Sequence, residues 1–107
     1  MITVIVKYTM PAHLSHEQVS AMLHAGAEKM FKNLPHLYSK QFCFDAESHQ
    51  GLSVYLWDNR ASAEAFFNEQ FLQHFQHSMN MPQKPVIEYH DTLVVVDNRV
   101  GDILSGA

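Results

Sequence analysis

Between Gly51 and Trp57 apolar and polar side chains alternate, with Leu52, Val54 and Leu56 on one side and Ser53, Tyr55 and Trp57 on the other. That period of two, rich in β-branched and aromatic residues, predicts a strand. The pattern changes at Asp58-Asn59. Either residue can accept a backbone N–H at a helix start, and Ala61, Ala63 and Ala65 behind them are strong helix formers. A strand carrying Tyr55 and Trp57 thus turns directly into a helix carrying Phe66 and Phe67. Four rings surround one corner, where they either fill a core or line a pocket.

The same period of two runs through Ile2–Tyr8, with Ile2, Val4, Val6 and Tyr8 on one face and Thr3, Ile5 and Lys7 on the other. Ser15 with Gln18 forms a capping-box signature. Behind it Val19, Met22, Leu23, Gly26, Ala27, Met30, Phe31 and Leu34 repeat at helical spacing, and Pro35 ends the helix. Leu37–Asp45 predicts a second strand with Tyr38, Lys40, Phe42 and Phe44 on one face. The polar Ala46–Gln50 joins it to the Gly51 strand as a hairpin. Beyond Asn68 two readings exist. An unbroken helix aligns Ala63, Phe66, Phe67, Gln70 and His74; a new helix capped by Asn68 turns Phe71, Leu72, Phe75 and Met79 inward and His74 outward. The second buries more apolar groups and is preferred. Val86–Val96 predicts a last strand, with Leu93–Val96 apolar on both faces, and Asp97–Ala107 a tail with little to pack.

The order strand, helix, strand, strand, helix, strand predicts one ferredoxin-like α+β domain over residues 1–107, βαββαβ, with both helices on one face of an antiparallel sheet. Ile2–Tyr8 and Leu93–Val96 nevertheless carry apolar groups on the opposite face. An uncovered apolar sheet is a liability in a monomer. A second copy packed sheet to sheet is the simplest cover, so a homodimer is expected, with 99–107 as a flexible or dimer-crossing tail.

Composition narrows the function classes. The chain has 107 residues, 47% hydrophobic and 17% charged, and carries a net charge of −4. Its lysines and arginines are scattered, so no basic stripe neutralises phosphates and nucleic acid is not an expected partner. One cysteine, Cys43, suits a reducing compartment. With no secretory pattern and no apolar run of spanning length, a cytoplasmic protein with no membrane contact is expected. Among eight histidines, the pairs His13/His16 and His74/His77 have i, i+3 spacing but lack a third ligand, so no metal site is expected. There is no G-x-G-x-x-G, P-loop or paired-cysteine motif, and no cofactor is assigned.

The element order, the W-D-N-R-A-S-A-E-A-F stretch at Trp57–Phe66 and the closing V-V-V-D-N at Val94–Asn98 resemble the YdhR-type mono-oxygenases, within the wider dimeric α+β-barrel superfamily that includes the antibiotic-biosynthesis mono-oxygenases. The resemblance spans nearly the whole chain. It implies a dimer whose sheets form a barrel, with a pocket in each subunit between sheet and helices. It also implies oxygen chemistry without a cofactor, in which a quinol- or anthrone-like substrate is deprotonated and itself reduces molecular oxygen. The protein would supply an apolar, water-excluding pocket and a few hydrogen bonds.

On that reading the catalytic candidates are Tyr55, Trp57 and His24. The first two have apolar bodies with one polar handle; His24 lies at the edge of the first helix's apolar face. Substrate-binding candidates are Asn33, Tyr38, Phe42, Phe44, Phe66, Phe67 and His74. Each has a plainer role, as a core ring or a solvated polar group. Two rival functions differ in class. Haem-degrading relatives carry a tryptophan within the second helix and a ligating histidine near its end, where this chain has Phe66, Phe67 and Phe75 with His74 beside it. A small-ligand-binding dimer without turnover needs only the pocket.

Overall fold

The computed structural model describes residues 1–106; Ala107, the end of the expected tail, lies outside them. Strand β1 (Ile2–Thr9) leads to helix α1 (His16–Gly26), which continues as a π-helical turn over Ala27–Phe31. Strands β2 (Leu37–Asp45) and β3 (Gln50–Trp57) form a hairpin, followed by α2 (Arg60–Phe66), α3 (Glu69–Ser78), β4 (Val86–Asp91), β5 (Val94–Asp97) and β6 (Asp102–Ser105). The main sheet is antiparallel in the order β2-β3-β1-β4, the ferredoxin-like arrangement, and β5-β6 is a separate ribbon.

The alternation becomes burial directly. Ile2, Val4, Val6 and Tyr8 are buried, and across the ladder they face Trp57, Tyr55, Ser53 and Gly51 in that order. Gly51 is required at its position: a Cβ there would run into the Tyr8 ring. The ring instead lies over the bare backbone, and its hydroxyl sits 3.3 Å from Ser53 Oγ.

Each helix starts where its cap dictates. Gln18 N–H donates to Ser15 Oγ at 3.1 Å and Ser15 N–H to Gln18 Oε1 at 2.8 Å. Asn59 Oδ1 accepts from Ser62 N–H at 2.8 Å, and Asn68 Oδ1 from Phe71 N–H at 2.8 Å. The second cap divides α2 from α3, so Phe71, Phe75 and Met79 pack against the core and His74 is exposed.

Two boundaries differ from the sequence pattern. The first helix was expected to run regularly to Leu34. Lys32 N–H instead reaches Ala27 O, five residues back, at 2.9 Å. The wider turn carries Phe31 over the sheet and leaves Met30 45% exposed. The expected strand Val86–Val96 divides at Thr92-Leu93. Ile2, the first residue of β1, already faces Asp91, so β4 has no ladder partner beyond it. Thr92 N–H donates to Met1 O at 3.2 Å, and its hydroxyl lies 2.6 Å from that of Thr3. The chain then leaves the sheet and β5 pairs with residues 102–105 of the tail.

The sheet's outer face carries Ile5, Leu52, Val54 and Leu56, all half-buried, at its centre. Beside it the β5-β6 ribbon exposes Val94, Val96 and Ile103 by more than half.

Gly51→Ala is expected to destabilise the fold by about 1–3 kcal/mol, the range for overpacking a filled core. Urea unfolding measures it; an unchanged midpoint would show that Tyr8 yields without cost.

Candidate active site

The inner face of the sheet is tiled with rings. Tyr55 meets Phe67 edge to face at a centroid separation of 4.9 Å and Phe31 at 5.8 Å. Phe31 also reaches Phe42 at 5.9 Å and Phe66 at 5.8 Å, which makes it the link between α1, β2 and α2. Phe71 joins Phe66 at 4.6 Å and Phe75 at 5.9 Å. Such offset and edge contacts fix ring orientation as well as burying area.

Among these rings stands one amine. Lys40 faces Tyr55 across the β2–β3 ladder and so projects inward. Its Nζ lies 3.4 Å from the Phe31 ring centroid, 3.8 Å from that of Phe42 and 4.3 Å from that of Tyr55. Burial lowers the Lys40 pKa from its ordinary value to about 6. The three ring faces act in the opposite direction, because their quadrupoles favour the ammonium. Burial pushes the Tyr55 hydroxyl well above its usual value, with a smaller contribution from Tyr8, so it remains a proton donor at neutral pH.

Beside Lys40 lies a small, partly open cavity of about 90 Å³, walled by Phe31, Phe42, Tyr55, Phe71 and Phe75, with His74 and Met22, Met30 and Met79 around them. On the other side of the Phe31–Lys40–Phe42 wall, Asn33 and Tyr38 border an open groove of about 430 Å³. A third hollow, about 340 Å³, lies between His24, Leu23 and Phe44 and again includes Phe42. A wider depression of about 610 Å³ at the end of the sheet, between Tyr8, Phe44 and Lys84, is open to solvent. The small cavity is the stronger site, because its wall is the richest in rings and the least open to solvent, although His74 and Met30 on its rim are exposed. Its size is limiting: the apolar cavity known to take up benzene is about 150 Å³. A flat guest therefore has to displace side chains, and the unbranched methionines on the wall are the most adaptable.

No protein-family model matches this chain, and no curated protein does. Solved structures do. A proposed antibiotic biosynthesis mono-oxygenase from Deinococcus radiodurans superposes with a TM-score of 0.64 at 11% identity, over 91% of this chain and 97% of that one. A second antibiotic biosynthesis mono-oxygenase gives 0.60 at 16% identity, over 87% and 99%. A Mycobacterium tuberculosis protein gives 0.61 at 12% identity, over 90% and 98%. The fold is that of the antibiotic-biosynthesis mono-oxygenase-like proteins.

Within this mono-oxygenase-like fold the candidate residues divide. Tyr55, Phe42 and His74 meet at the small cavity. Asn33 and Tyr38 stand in the neighbouring groove. Tyr38 does not share the inward face with Phe42: the β2–β3 register shifts between Leu37 and Ser39, and Tyr38, the extra residue of that bulge, is 60% exposed. His24 and Phe44 border the third hollow. The His24 Nδ1–H donates to Ser20 O at 2.8 Å, which leaves Nε2 as the ring's acceptor. Trp57, Phe66 and Phe67 line none of these four hollows and belong to the core. Trp57 stands behind Tyr55, ring planes 16° apart, and its buried indole N–H has no partner among the described residues. Among the described residues no three side chains of metal-ligating type converge, and no helix there is long and apolar enough to cross a membrane.

The sequence pattern put Lys40 on the ring-bearing face of its strand but not among the site candidates. The signal was present: a lysine two residues from Phe42 and four from Phe44 shares their face of a strand, and that face is apolar.

The Lys40 shift has a stability consequence. Its folded pKa lies below the unfolded value near 10.4, so between about pH 6 and about pH 10 the unfolded chain binds more protons and wild-type stability rises with pH. Lys40→Met is expected to stabilise the fold by about 1–3 kcal/mol at neutral pH, after allowance for the lost cation–π contacts. The gain should be largest near pH 6 and vanish near pH 10. Urea unfolding across that range checks it; a gain independent of pH would contradict the buried-amine account.

Proposed function

We propose that this protein is a cytoplasmic, homodimeric mono-oxygenase of YdhR type that oxidises a small electron-rich aromatic, quinol- or anthrone-like, without a bound cofactor. The observation that carries the reading is the small, ring-walled cavity with Tyr55 on its wall. Such a cavity excludes water from a carbanion or phenolate and leaves oxygen, which is apolar, free to enter. The substrate gives up a proton, and its carbanion transfers one electron to O2. The radical pair joins through a new C–O bond as a hydroperoxide, which loses water to leave a ketone. One CH2 and one O2 become one C=O and one H2O, with the substrate as the only reductant.

In this reading Tyr55 donates a hydrogen bond to the substrate oxygen as charge develops there, and its raised pKa keeps the donor in place. Trp57, stacked behind it, is a positioning residue. Asn33 and Tyr38 receive the substrate's outer edge in the groove beyond Phe42. The rival is a binding dimer without turnover, which needs the same pocket and no oxygen step. The cavity's size speaks against haem, which needs several times this volume.

The second copy would cover the outer sheet face around Ile5, Leu52, Val54 and Leu56, with the β5-β6 ribbon reaching across. The apolar ribbon supports this, since Val94, Val96 and Ile103 stay more than half exposed. Cys43, free and exposed, fits a reducing compartment.

Oxygen uptake with a panel of quinols and anthrones tests the activity. Turnover of at least one is expected, and Tyr55→Phe should lower it by about tenfold or more; no uptake with any reduced aromatic would favour the binder. Light scattering tests the assembly. The wild type should give twice the chain mass and Val54→Lys a folded single chain; a wild type already of single-chain mass would remove the dimer.

A further inference from the structure

Lys40 is an inward lysine without a counter-ion. Among the described residues no carboxylate lies within ion-pair reach of it. Glu28, the acid beside the outer groove, is paired with Lys32 at 3.6 Å. From the other elements around the cavity, only the Tyr55 hydroxyl on β3 and the His74 imidazole on α3 bring titratable groups. Lys40 also stands in the wall shared by the small cavity and the open groove. A molecule that parts this wall from the groove side meets the amine at the threshold.

A half-buried amine with no anion beside it is incomplete in its charged form. What completes it is an acid that arrives with its own proton. We propose that Lys40 is the group that recognises the substrate: its neutral amine takes the proton of a flat phenol, or of the enol form of an anthrone-like ketone, and the resulting ammonium holds the resulting oxyanion. The O–H bond breaks, its electron pair stays on oxygen, and an N–H bond forms on Nζ. The ring faces of Phe31, Phe42 and Tyr55 then hold the new ammonium. For the separated groups the transfer is uphill, a weakened amine against a phenol, so only the direct charge-assisted hydrogen bond of the pair can drive it, and the more acidic the hydroxyl the better. The site thereby selects guests by an acidic hydroxyl as well as by flatness, and it leaves an electron-rich anion next to the place where oxygen would react. This rests on the reading of the cavity as the substrate site, but it requires no oxygen step.

The test uses the intact protein, 4-nitrophenol, and 4-nitroanisole of nearly the same outline without the acidic proton. At about pH 6.5 free nitrophenol is still mostly un-ionised while the Lys40 amine is mostly neutral, and the nitrophenolate anion absorbs at longer wavelength. The wild type should bind nitrophenol with saturable growth of the phenolate band. Lys40→Met should bind it about tenfold more weakly or worse, with no phenolate band, while both proteins bind nitroanisole alike. If both bind nitrophenol as the neutral phenol with equal affinity, Lys40 is not the proton acceptor, although the cavity remains a site. If neither protein binds either compound, the cavity reading itself fails and this inference with it.

Discussion

The structure depends on one steric agreement: the inner sheet face has to offer rings to the helices at a depth that the strand register sets. Ile2, Val4, Val6 and Tyr8 face Trp57, Tyr55, Ser53 and Gly51. Large side chains oppose small ones at the end where Tyr8 needs room, and large oppose large where α2 begins. Gly51 is the point at which this becomes obligatory, because the Tyr8 ring occupies the space of its absent side chain. A slip of one residue would turn every ring to the outer face.

The site follows from an irregularity in that regular frame. The bulge at Tyr38 in β2 and the π turn at Ala27–Phe31 lie opposite one another. The bulge removes Tyr38 from the inner face, and Lys40 takes the place opposite Tyr55. The π turn brings Phe31 over Lys40 and Phe42. Both bulges and π turns are over-represented at functional sites, and here each has a definable consequence for one side chain.

The four rings of the strand–helix corner separate into two roles. Trp57, Phe66 and Phe67 are structural; Tyr55 is shared between core and cavity. Tyr55, Trp57 and Phe67 are all buried, and the difference lies in their neighbours: Trp57 packs on Phe66 and Phe67, whereas Tyr55 also meets Phe31 and the Lys40 amine beside the cavity. Phe42 is likewise common to three hollows and divides them. A guest that moves Phe31 and Phe42 would open a far larger space than the one present at rest.

The sequence alone determined the elements, their order and which side of each strand is buried, because these follow from local periodicity and capping. The ferredoxin-like α+β class was legible for that reason, and so was the break at Asn68, where burying Phe71 and Phe75 outweighed an unbroken helix. Tertiary structure decided what periodicity does not encode. The strand expected over Val86–Val96 ends at Asp91 because β1 offers no partner beyond Ile2, a fact about another segment. Tyr38 leaves its expected face because a register shift is a property of a strand pair. His24 stands at a different hollow from Tyr55 because helix placement, and not spacing along the helix, sets which groove a side chain borders. Lys40 becomes chemically unusual only when Phe31, Phe42 and Tyr55, on three separate elements, close around it, since desolvation is a property of the assembled surroundings and not of the residue.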